Sequence, residues 1–179
     1  MKNFGFVCRL ALTLLVITSL VAAALAGVNT LTKDKIAAAK SQKIMDAVAR
    51  VLPGNATPMV LSGDTGMVVS AYQNENGYAV EVAPAGFGGN ITMMVGISKE
   101  FTVTGIEIIS HSETAGLGAV AAEDSAKGAA FRDGFIGQSG TLALKKDGGT
   151  VEAITGATIT SKAVTDGINQ ALAFVKEVA

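Results

Sequence analysis

One long apolar segment near the N-terminus constrains this chain more than any other feature. Between Leu10 and Val28 the sequence is almost wholly apolar and contains no charged residue (LALTLLVITSLVAAALAGV). At about 1.5 Å per residue, a helix of this length comes close to the thickness of a membrane's hydrocarbon core, which is about 30 Å. The segment therefore predicts a transmembrane helix that anchors the residues following it.

A cleaved signal peptide is the other interpretation of the same segment. Lys2 and Arg9 precede the apolar run, and Ala24-Leu25-Ala26 has the small-x-small pattern of a cleavage site. The run is, however, longer than the hydrophobic region of most signal peptides, which has about 7 to 15 residues. We therefore favour a retained anchor, with residues 1–9 as a short tail and residues 10–28 as the span.

Basic residues flank the span on both sides and bear on its orientation. Lys2 and Arg9 precede it, and the basic residues that follow are Lys33, Lys35, Lys40, Lys43 and Arg50. Because basic flanks favour the cytoplasmic side of a membrane, this distribution favours a cytoplasmic body.

Composition excludes several classes of function. The chain has 14 Lys plus Arg and 15 Asp plus Glu, so its net charge of -1 gives no electrostatic basis for binding nucleic acid. One Cys and one His cannot build a structural zinc site, a Cys-ligated iron-sulfur cluster or a disulfide. No G-x-G-x-x-G segment opens a βαβ unit, so no nicotinamide site is predicted. Any redox chemistry would therefore require an organic cofactor.

Hydrophobic periodicity predicts an α+β body after the anchor. Residues 29–52 are predicted to form a connecting helix whose amphipathic pattern runs from Leu31 to Leu52, and Pro53-Gly54 ends it. The apolar residues near one face of this helix are Ile36, Ile44, Met45, Val48, Val51 and Leu52. Strand-like runs then predict an antiparallel meander over 67–73, 78–83, 91–98 and 101–110, with a hairpin turn at 74–77. The remaining predicted elements are a helix over 120–131, strands over 141–144 and 151–154, and a final helix from about 161 to 178.

A cluster of hydroxyl residues immediately precedes the final predicted helix, in the segment Thr155-Gly156-Ala157-Thr158-Ile159-Thr160-Ser161. Ser and Thr oxygens commonly cap the unpaired N–H groups of a helix N-terminus, but one cap needs one hydroxyl. Gly156 and Ala157 leave the backbone and the Thr158 hydroxyl uncovered, and the positive end of a helix dipole favours anions. Two interpretations stay open from these residues alone, a capped turn and a phosphate-binding site.

A second polar segment, His111-Ser112-Glu113-Thr114-Ala115-Gly116-Leu117-Gly118, directly follows a predicted strand. Its simplest interpretation is a glycine-containing connection with solvated side chains. His111 and Glu113 are too few for a metal site, and no nucleophile, base and orienting acid form a hydrolase triad with them. Gly116 and Gly118 would let backbone amides approach a flat ligand closely.

Taken together, these segments resemble one family. The segment 155–161 and its terminal helix resemble the S/T-G-A-T flavinylation motif of FMN-binding domains in Rnf and Na+-translocating NADH:quinone reductase complexes. The segment 111–118 is similar to the H-x-E-T-P-G-L-G loop of the same family. Gly77-Tyr78-Ala79 and residues 86–97 resemble its G-Y-x and G-Y-G-G-x-I-x-x-x-V-G-I region. The short chain and single anchor are most similar to the G subunits of Rnf complexes.

This resemblance implies a covalent cofactor. In the family a flavin transferase uses FAD and Mg2+, the threonine oxygen attacks the FMN phosphate, and AMP leaves, so Thr158 would carry FMN as a phosphoester. The helix N-terminus would stabilise the negative phosphodiester by about 0.3 to 1 kcal/mol. Two positions depart from the family pattern, because Ala115 stands where the family usually has Pro and Glu152 where it usually has Asp.

The same resemblance implies which residues surround the flavin. Those expected around the phosphate are Thr155, Gly156, Ala157 and Thr160. Those expected beside the isoalloxazine or its chain are Glu113, Thr114, Gly116, Leu117 and Gly118. His111 either fixes the loop or contacts the flavin, whereas Tyr72 and Tyr78 are expected to pack in the sheet. No residue of this chain is expected to be catalytic or to bind a metal.

The family's flavinylated domains face the extracytoplasmic side, where the transferase acts. The resemblance therefore places residues 1–9 in the cytoplasm and the FMN-binding domain, residues 53–179, outside a cell (inner/cytoplasmic) membrane that the chain crosses once. This orientation is opposite to the one favoured by the basic flanks, but a long domain is translocated largely regardless of charge.

The function implied by the resemblance is electron relay within an Rnf-type complex, which couples electron transfer between ferredoxin and NAD+ to movement of Na+ or H+. The implied partners are the other membrane and peripheral subunits of the complex, and a flavin transferase for maturation. A component similar to the C subunit of the quinone reductase, or a free-standing flavinylated electron carrier, is the first alternative. A noncatalytic membrane-anchored binding module with a merely capped turn is the second.

Overall fold

The computed structural model describes residues 4–61 and 65–179. The chain divides into two compact units, one ending at Gln42 and the other comprising Lys43–Ala179. The second unit contains the sheet, and its α+β architecture confirms the predicted fold class.

The first helix, α1, is Phe4–Val51. Its N-terminal part contains an apolar window with a mean hydropathy of 2.4, none of which is buried, so it is long and apolar enough to cross a membrane. The hydroxyls of Thr13, Thr18 and Thr30 donate to backbone carbonyls one turn earlier, which satisfies them within the helix. The predicted span is therefore helical, with lipid-compatible side chains on its surface.

The helix predicted over Leu31 to Leu52 is confirmed as the second half of α1. Its predicted apolar face is buried only near the C-terminal end, at Val48, Val51 and Leu52. Ile36 and Met45, assigned to the same face, stay exposed. Periodicity alone could not distinguish the buried end from the exposed part, because both share the same residue types.

Within the described ranges, five antiparallel strands form one sheet, and their order in the sheet is their order along the chain. They are β1 Thr57–Pro58, β2 Val68–Asn74, β3 Gly77–Val82, β4 Thr92–Ser98 and β5 Val103–Ser110. The predicted meander is confirmed. Strand β1 was not predicted, because a strand of two residues leaves no periodic pattern in the sequence. At the β2–β3 turn, the Asn76 N–H donates to Asn74 Oδ1 at 2.8 Å, and Gly77 has a φ of +150°.

The final helix, α3, is Thr158–Val178 and covers one face of the sheet. Its apolar stripe packs on alternate residues of the central strands. This main core includes Val80, Val82, Met93, Val95 and Ile97 from the sheet, and Val164, Ile168, Leu172 and Val175 from α3. Burial of each such side chain contributes about 1.5 to 3 kcal/mol, so α3 is firmly fixed on the sheet. The prediction of this helix is confirmed, although it begins at Thr158 rather than near Ser161.

The C-terminal end of α1 packs on the opposite face of the sheet. Val48, Val51 and Leu52 form a smaller core there with Ala79 and Met94. The sheet therefore lies between two helical layers, with α3 on the side that carries the candidate site.

The helix predicted over 120–131 is wrong as a single element. The structure has a 3₁₀ helix at Gly118–Ala122 and a separate helix, α2, at Ala126–Asp133. Ser125 interrupts the pattern because its hydroxyl caps α2, accepting from the Gly128 N–H at 3.2 Å. Arg132 of α2 stabilises this interruption, because its guanidinium donates to the carbonyl oxygen of Ala121 in the 3₁₀ helix at 2.7 Å.

The strands predicted over 141–144 and 151–154 are also wrong. The segments meet through one parallel bridge, between Leu144 and Val151, and a 3₁₀ turn at Lys145–Asp147 separates them. The Asn169 side chain instead bonds both the N–H and the carbonyl of Leu142, at 2.8 and 2.9 Å. Short apolar runs do not distinguish a strand from an extended connection that is held by side chains.

Candidate functional site

Three segments distant in sequence meet at the N-terminus of α3 and enclose a cavity of about 340 Å³. They are the loop 86–90, which precedes β4, the loop 111–118, which follows β5, and the turn 155–157 with the first residues of α3. We refer to this space as the α3 cavity. Its volume is at the lower end of the range of small-molecule sites, about 300 to 1,000 Å³.

The turn before α3 exposes the hydroxyl of Thr158. Gly156 has a φ of +78°, which favours glycine, and reverses the chain before the helix. The N-cap residue is Ala157, and no side chain among the described residues caps the helix. Thr158 is the first residue of α3, is exposed and lines the cavity. The positive end of the helix dipole therefore faces this hydroxyl without a side-chain cap.

The remaining hydroxyls of the turn differ in their roles. Ser161 is buried, accepts from the Ile154 N–H at 2.9 Å and donates to the Ala157 carbonyl at 3.0 Å, so it fixes the turn. Thr160 is buried and donates to Glu113. Thr155 is exposed. The hydroxyl cluster is therefore not a set of alternative helix caps.

Glu113 connects all three segments. Its Oε1 accepts from the Gly88 N–H at 2.8 Å, and its Oε2 accepts from the hydroxyl of Thr160. Gly86 and Gly118 pack tightly around the carboxylate, because a Cβ at either position would lie 2.5 Å from one of its oxygens. The side chain is buried, with 9% of the residue exposed.

Three exposed apolar side chains rim the cavity. Phe87 is 70% exposed, Ile159 55% and Leu117 43%, and all three line the same space. Single exposed apolar residues are ordinary on protein surfaces, but a group around one concave opening is typical of a ligand site. The cavity thus combines an apolar rim with a polar wall and an exposed hydroxyl.

The structure brings most of the sequence-predicted site residues together. Those that line the α3 cavity are Glu113, Thr114, Leu117, Gly118, Gly156, Ala157, Thr158 and Thr160. Gly116 and Thr155 instead line a neighbouring cavity of about 490 Å³, together with Lys127, Phe131 and Glu152. Residues of the loop 111–118 and of the turn 155–157 line both spaces.

Sequence reasoning missed two residues of the cavity, Phe87 and Ile159. Phe87 lies between glycines in a predicted loop, and the available signal was an aromatic residue in a glycine-rich segment that had no predicted core to pack into. Ile159 follows Thr158 and faces outward from the first turn of α3, which could not be inferred while the helix was expected to begin near Ser161.

His111 fixes the loop rather than lining the cavity. Its Nδ1 accepts from the Glu113 N–H at 3.2 Å. Tyr72 and Tyr78 pack partly buried against the two cores, in agreement with the expected sheet packing. No group of three or more His, Cys, Asp or Glu side chains in residues 4–61 and 65–179 could hold a metal ion.

Glu152, at the position where the related motif has Asp, is exposed and faces Lys145. The Lys145 Nζ donates to Glu152 Oε2 at 2.7 Å. This hydrogen bond, with the ammonium charge, lowers the pKa of the Glu152 carboxyl below its ordinary value. The carboxylate is therefore held outside the α3 cavity.

Comparisons with known proteins agree with this geometry. The model of the FMN-binding domain family matches residues 86–173, a range that contains all three segments of the cavity. The G subunit of the ion-translocating oxidoreductase complex of Methanosarcina acetivorans is 34% identical, over 98% of this chain and 97% of the relative.

Two further relatives carry related names. The G subunit of the Na(+)-translocating ferredoxin:NAD(+) oxidoreductase complex of Acetobacterium woodii is 34% identical, over 95% of this chain and 92% of the relative. Its counterpart in the proton-translocating ferredoxin:NAD(+) oxidoreductase complex of Clostridium ljungdahlii is 34% identical, over 76% of this chain and 75% of the relative. The chain therefore belongs to the family of G subunits of ion-translocating oxidoreductase complexes, and its body is an FMN-binding domain.

Proposed function

We propose that this chain is the membrane-anchored flavoprotein subunit of an Rnf-type ferredoxin:NAD+ oxidoreductase complex, and that it relays electrons through FMN bound covalently to Thr158. The observation that carries the proposal is the exposed Thr158 hydroxyl, at an uncapped helix N-terminus that opens on the α3 cavity. The names of the relatives support the complex, its ferredoxin and NAD+ partners and its translocation of Na+ or H+.

The residues of the cavity fit FMN. A phosphoester on Thr158 would place the phosphate at the positive end of the α3 dipole, beside Gly156, whose missing side chain leaves room. The exposed faces of Phe87, Leu117 and Ile159 suit the apolar surface of a flat ring. FMN supplies the electron-accepting and electron-donating chemistry, while the chain holds and orients it.

Covalent attachment requires an activated hydroxyl. A threonine oxygen is a weak nucleophile, and the described residues place no base within hydrogen-bond distance of Thr158. A flavin transferase would supply that activation, and this chain would supply an accessible acceptor with small neighbours at Gly156 and Ala157. An accessible hydroxyl on a fixed turn is what such a partner enzyme needs.

The experiment compares wild-type protein with Thr158→Ala, each produced with a flavin transferase, denatured, and analysed by intact mass and in-gel flavin fluorescence. We expect the wild type to keep an FMN-sized mass and fluorescence after denaturation, and the variant to lose both completely. Thr150→Ala is the matched control, because it removes an exposed threonine hydroxyl away from the cavity. It should be labelled like the wild type.

Each other result would change the assignment. Flavin retained in Thr158→Ala would place the linkage at another residue. If neither protein carries flavin while a known acceptor is labelled in the same cells, the chain is a membrane-anchored binding module rather than a flavoprotein.

We also propose that the chain crosses the cell membrane once and carries its FMN-binding domain on the extracytoplasmic side. The apolar window in α1 supports the span, and the need for access by the transferase supports the orientation. Other membrane and peripheral subunits of the complex would be its lasting partners.

A further inference from the structure

We propose that the buried carboxylate of Glu113 keeps the reduction potential of the flavin carried in the α3 cavity low. The inference rests on the proposed function, because it concerns the same cavity. It concerns the charge of Glu113, which is separate from the role of its hydrogen bonds in joining the three segments.

Glu113 is the one charged residue among the described residues that line the cavity. The others are apolar, glycine or threonine. Among residues 4–61 and 65–179, no ion pair includes Glu113. Its negative charge is therefore not neutralised by a cation within salt-bridge distance.

The hydrogen bonds around Glu113 indicate that it carries that charge. Its two oxygens each accept from a donor, the Gly88 N–H and the Thr160 hydroxyl, which is the bonding pattern of an ionised carboxylate. The nearby His111 does not donate to the carboxylate, because its Nδ1 accepts from the Glu113 backbone N–H at 3.2 Å.

Burial makes the charge effective. A charge removed from water acts on its neighbours through a lower effective dielectric constant than a surface charge does. Reduction adds electrons to a flavin, and a fixed negative charge nearby opposes this addition. A neutral side chain of the same shape should therefore favour the reduced flavin.

Glu113→Gln tests the charge with little change of shape. The amide oxygen can still accept from the Gly88 N–H, and the amide nitrogen can donate to Thr160, whose hydroxyl can rotate to accept. The full chain is loaded with flavin and purified in detergent, and its midpoint potential is measured by spectroelectrochemical titration. At a fixed solution potential, we expect the ratio of reduced to oxidised flavin to rise about tenfold, equivalent to about 30 mV for a two-electron couple.

Two further variants separate charge from structure. Glu113→Asp keeps the charge but draws it back by one carbon, so the potential should rise in the same direction by less than in Glu113→Gln. This variant also provides the test if Glu113→Gln is not loaded with flavin. Asp166→Asn removes an exposed negative charge on α3 outside the cavity and should leave the potential at the wild-type value. Thermal unfolding of each flavin-free chain reports any loss of stability independently of the flavin.

The outcomes are distinct. Loaded Glu113 variants with the potential of the wild type would overturn the inference and leave Glu113 only a structural connection. An equal shift in Asp166→Asn would overturn it too, because net charge rather than position would then be responsible. A wild-type chain without flavin would instead mean that the proposed function had failed.

Discussion

At the scale of single residues, the ion pair between Lys145 and Glu152 gives a prediction about pH. The Lys145 hydrogen bond lowers the pKa of the Glu152 carboxyl, so Lys145→Gln should raise that pKa toward its ordinary value. Because the folded pKa is depressed, the pair stabilises the folded state above the unfolded pKa, and this contribution is lost as pH falls through the folded pKa. NMR titration of the Glu152 side chain measures the change.

The neighbouring lysine provides the control for this titration. Lys146 pairs with Asp147 at 4.0 Å rather than with Glu152, so Lys146→Gln should leave the pKa of Glu152 where it is. Equal shifts in the two variants would show that general surface charge, and not the Lys145 hydrogen bond, lowers the pKa. Lys145 and Glu152 are both exposed, so the lowering of the Glu152 pKa in the wild type should shrink as salt is added.

Single residues also show where sequence reasoning about the site succeeded and where it could not. The exposed Thr158 and the turn at Gly156 were predictable because their signals lie within a few neighbouring residues. The role of Glu113 in joining the three segments was not predictable, because its partners Gly88 and Thr160 are 25 and 47 residues away along the chain. Only the packed structure brings such partners together.

At the scale of elements, two glycines facing α1 predict different responses to the same substitution. Gly96 on β4 and Gly105 on β5 are register partners. A Cβ at Gly96 would lie 2.5 Å from the Val51 carbonyl oxygen, whereas one at Gly105 would lie 3.6 Å from the nearest Val51 atom. Gly96→Ala should therefore lower the free energy of unfolding by about 1 to 3 kcal/mol, since the helix end must shift.

Gly105→Ala is the matched variant, because it adds the same methyl group beside the same helix at an ordinary van der Waals distance. Its free energy of unfolding should equal that of the wild type or exceed it slightly. Urea denaturation of the full chain in a mild detergent gives both values. Similar losses in the two variants would contradict the close approach of α1 to β4.

The elements that were mispredicted share a physical cause. Over 120–131 the apolar pattern continues, but the cap at Ser125 divides the segment into a 3₁₀ helix and α2. Over 141–144 the chain forms no strand, and Asn169 of α3 bonds the Leu142 N–H and carbonyl in place of a neighbouring strand. In contrast, β3, β4 and α3 follow their periodicity, because each presents one apolar face to the main core.

At the scale of the whole molecule, the sequence combines an apolar helix with a body built to hold a group at one end of α3. The apolar window could be recognised from composition alone, because charge is absent over a length that spans a membrane. The orientation of this helix could not be recognised from the sequence, because the basic flanks and the family resemblance place the body on opposite sides of the membrane. The body's position relative to the membrane therefore needs its own measurement.

The chain's single cysteine, Cys8, makes that measurement direct, because Cys8 lies in the predicted cytoplasmic tail and is exposed. A membrane-impermeant maleimide applied to the outer face of the intact cell membrane should leave Cys8 unlabelled until the membrane is permeabilised. In Cys8→Ser/Asp147→Cys, the reporter lies on an exposed turn of the body and should be labelled without permeabilisation.

The reverse labelling pattern would place the body in the cytoplasm, as the basic flanks favour, and would deny an extracytoplasmic transferase access to Thr158. A wild-type chain that has lost Cys8 altogether, with an intact mass matching cleavage after Ala26, would mean that the apolar segment is a signal peptide. Because a nine-residue tail is short enough to stay inside while a long domain crosses regardless of charge, we expect the first pattern.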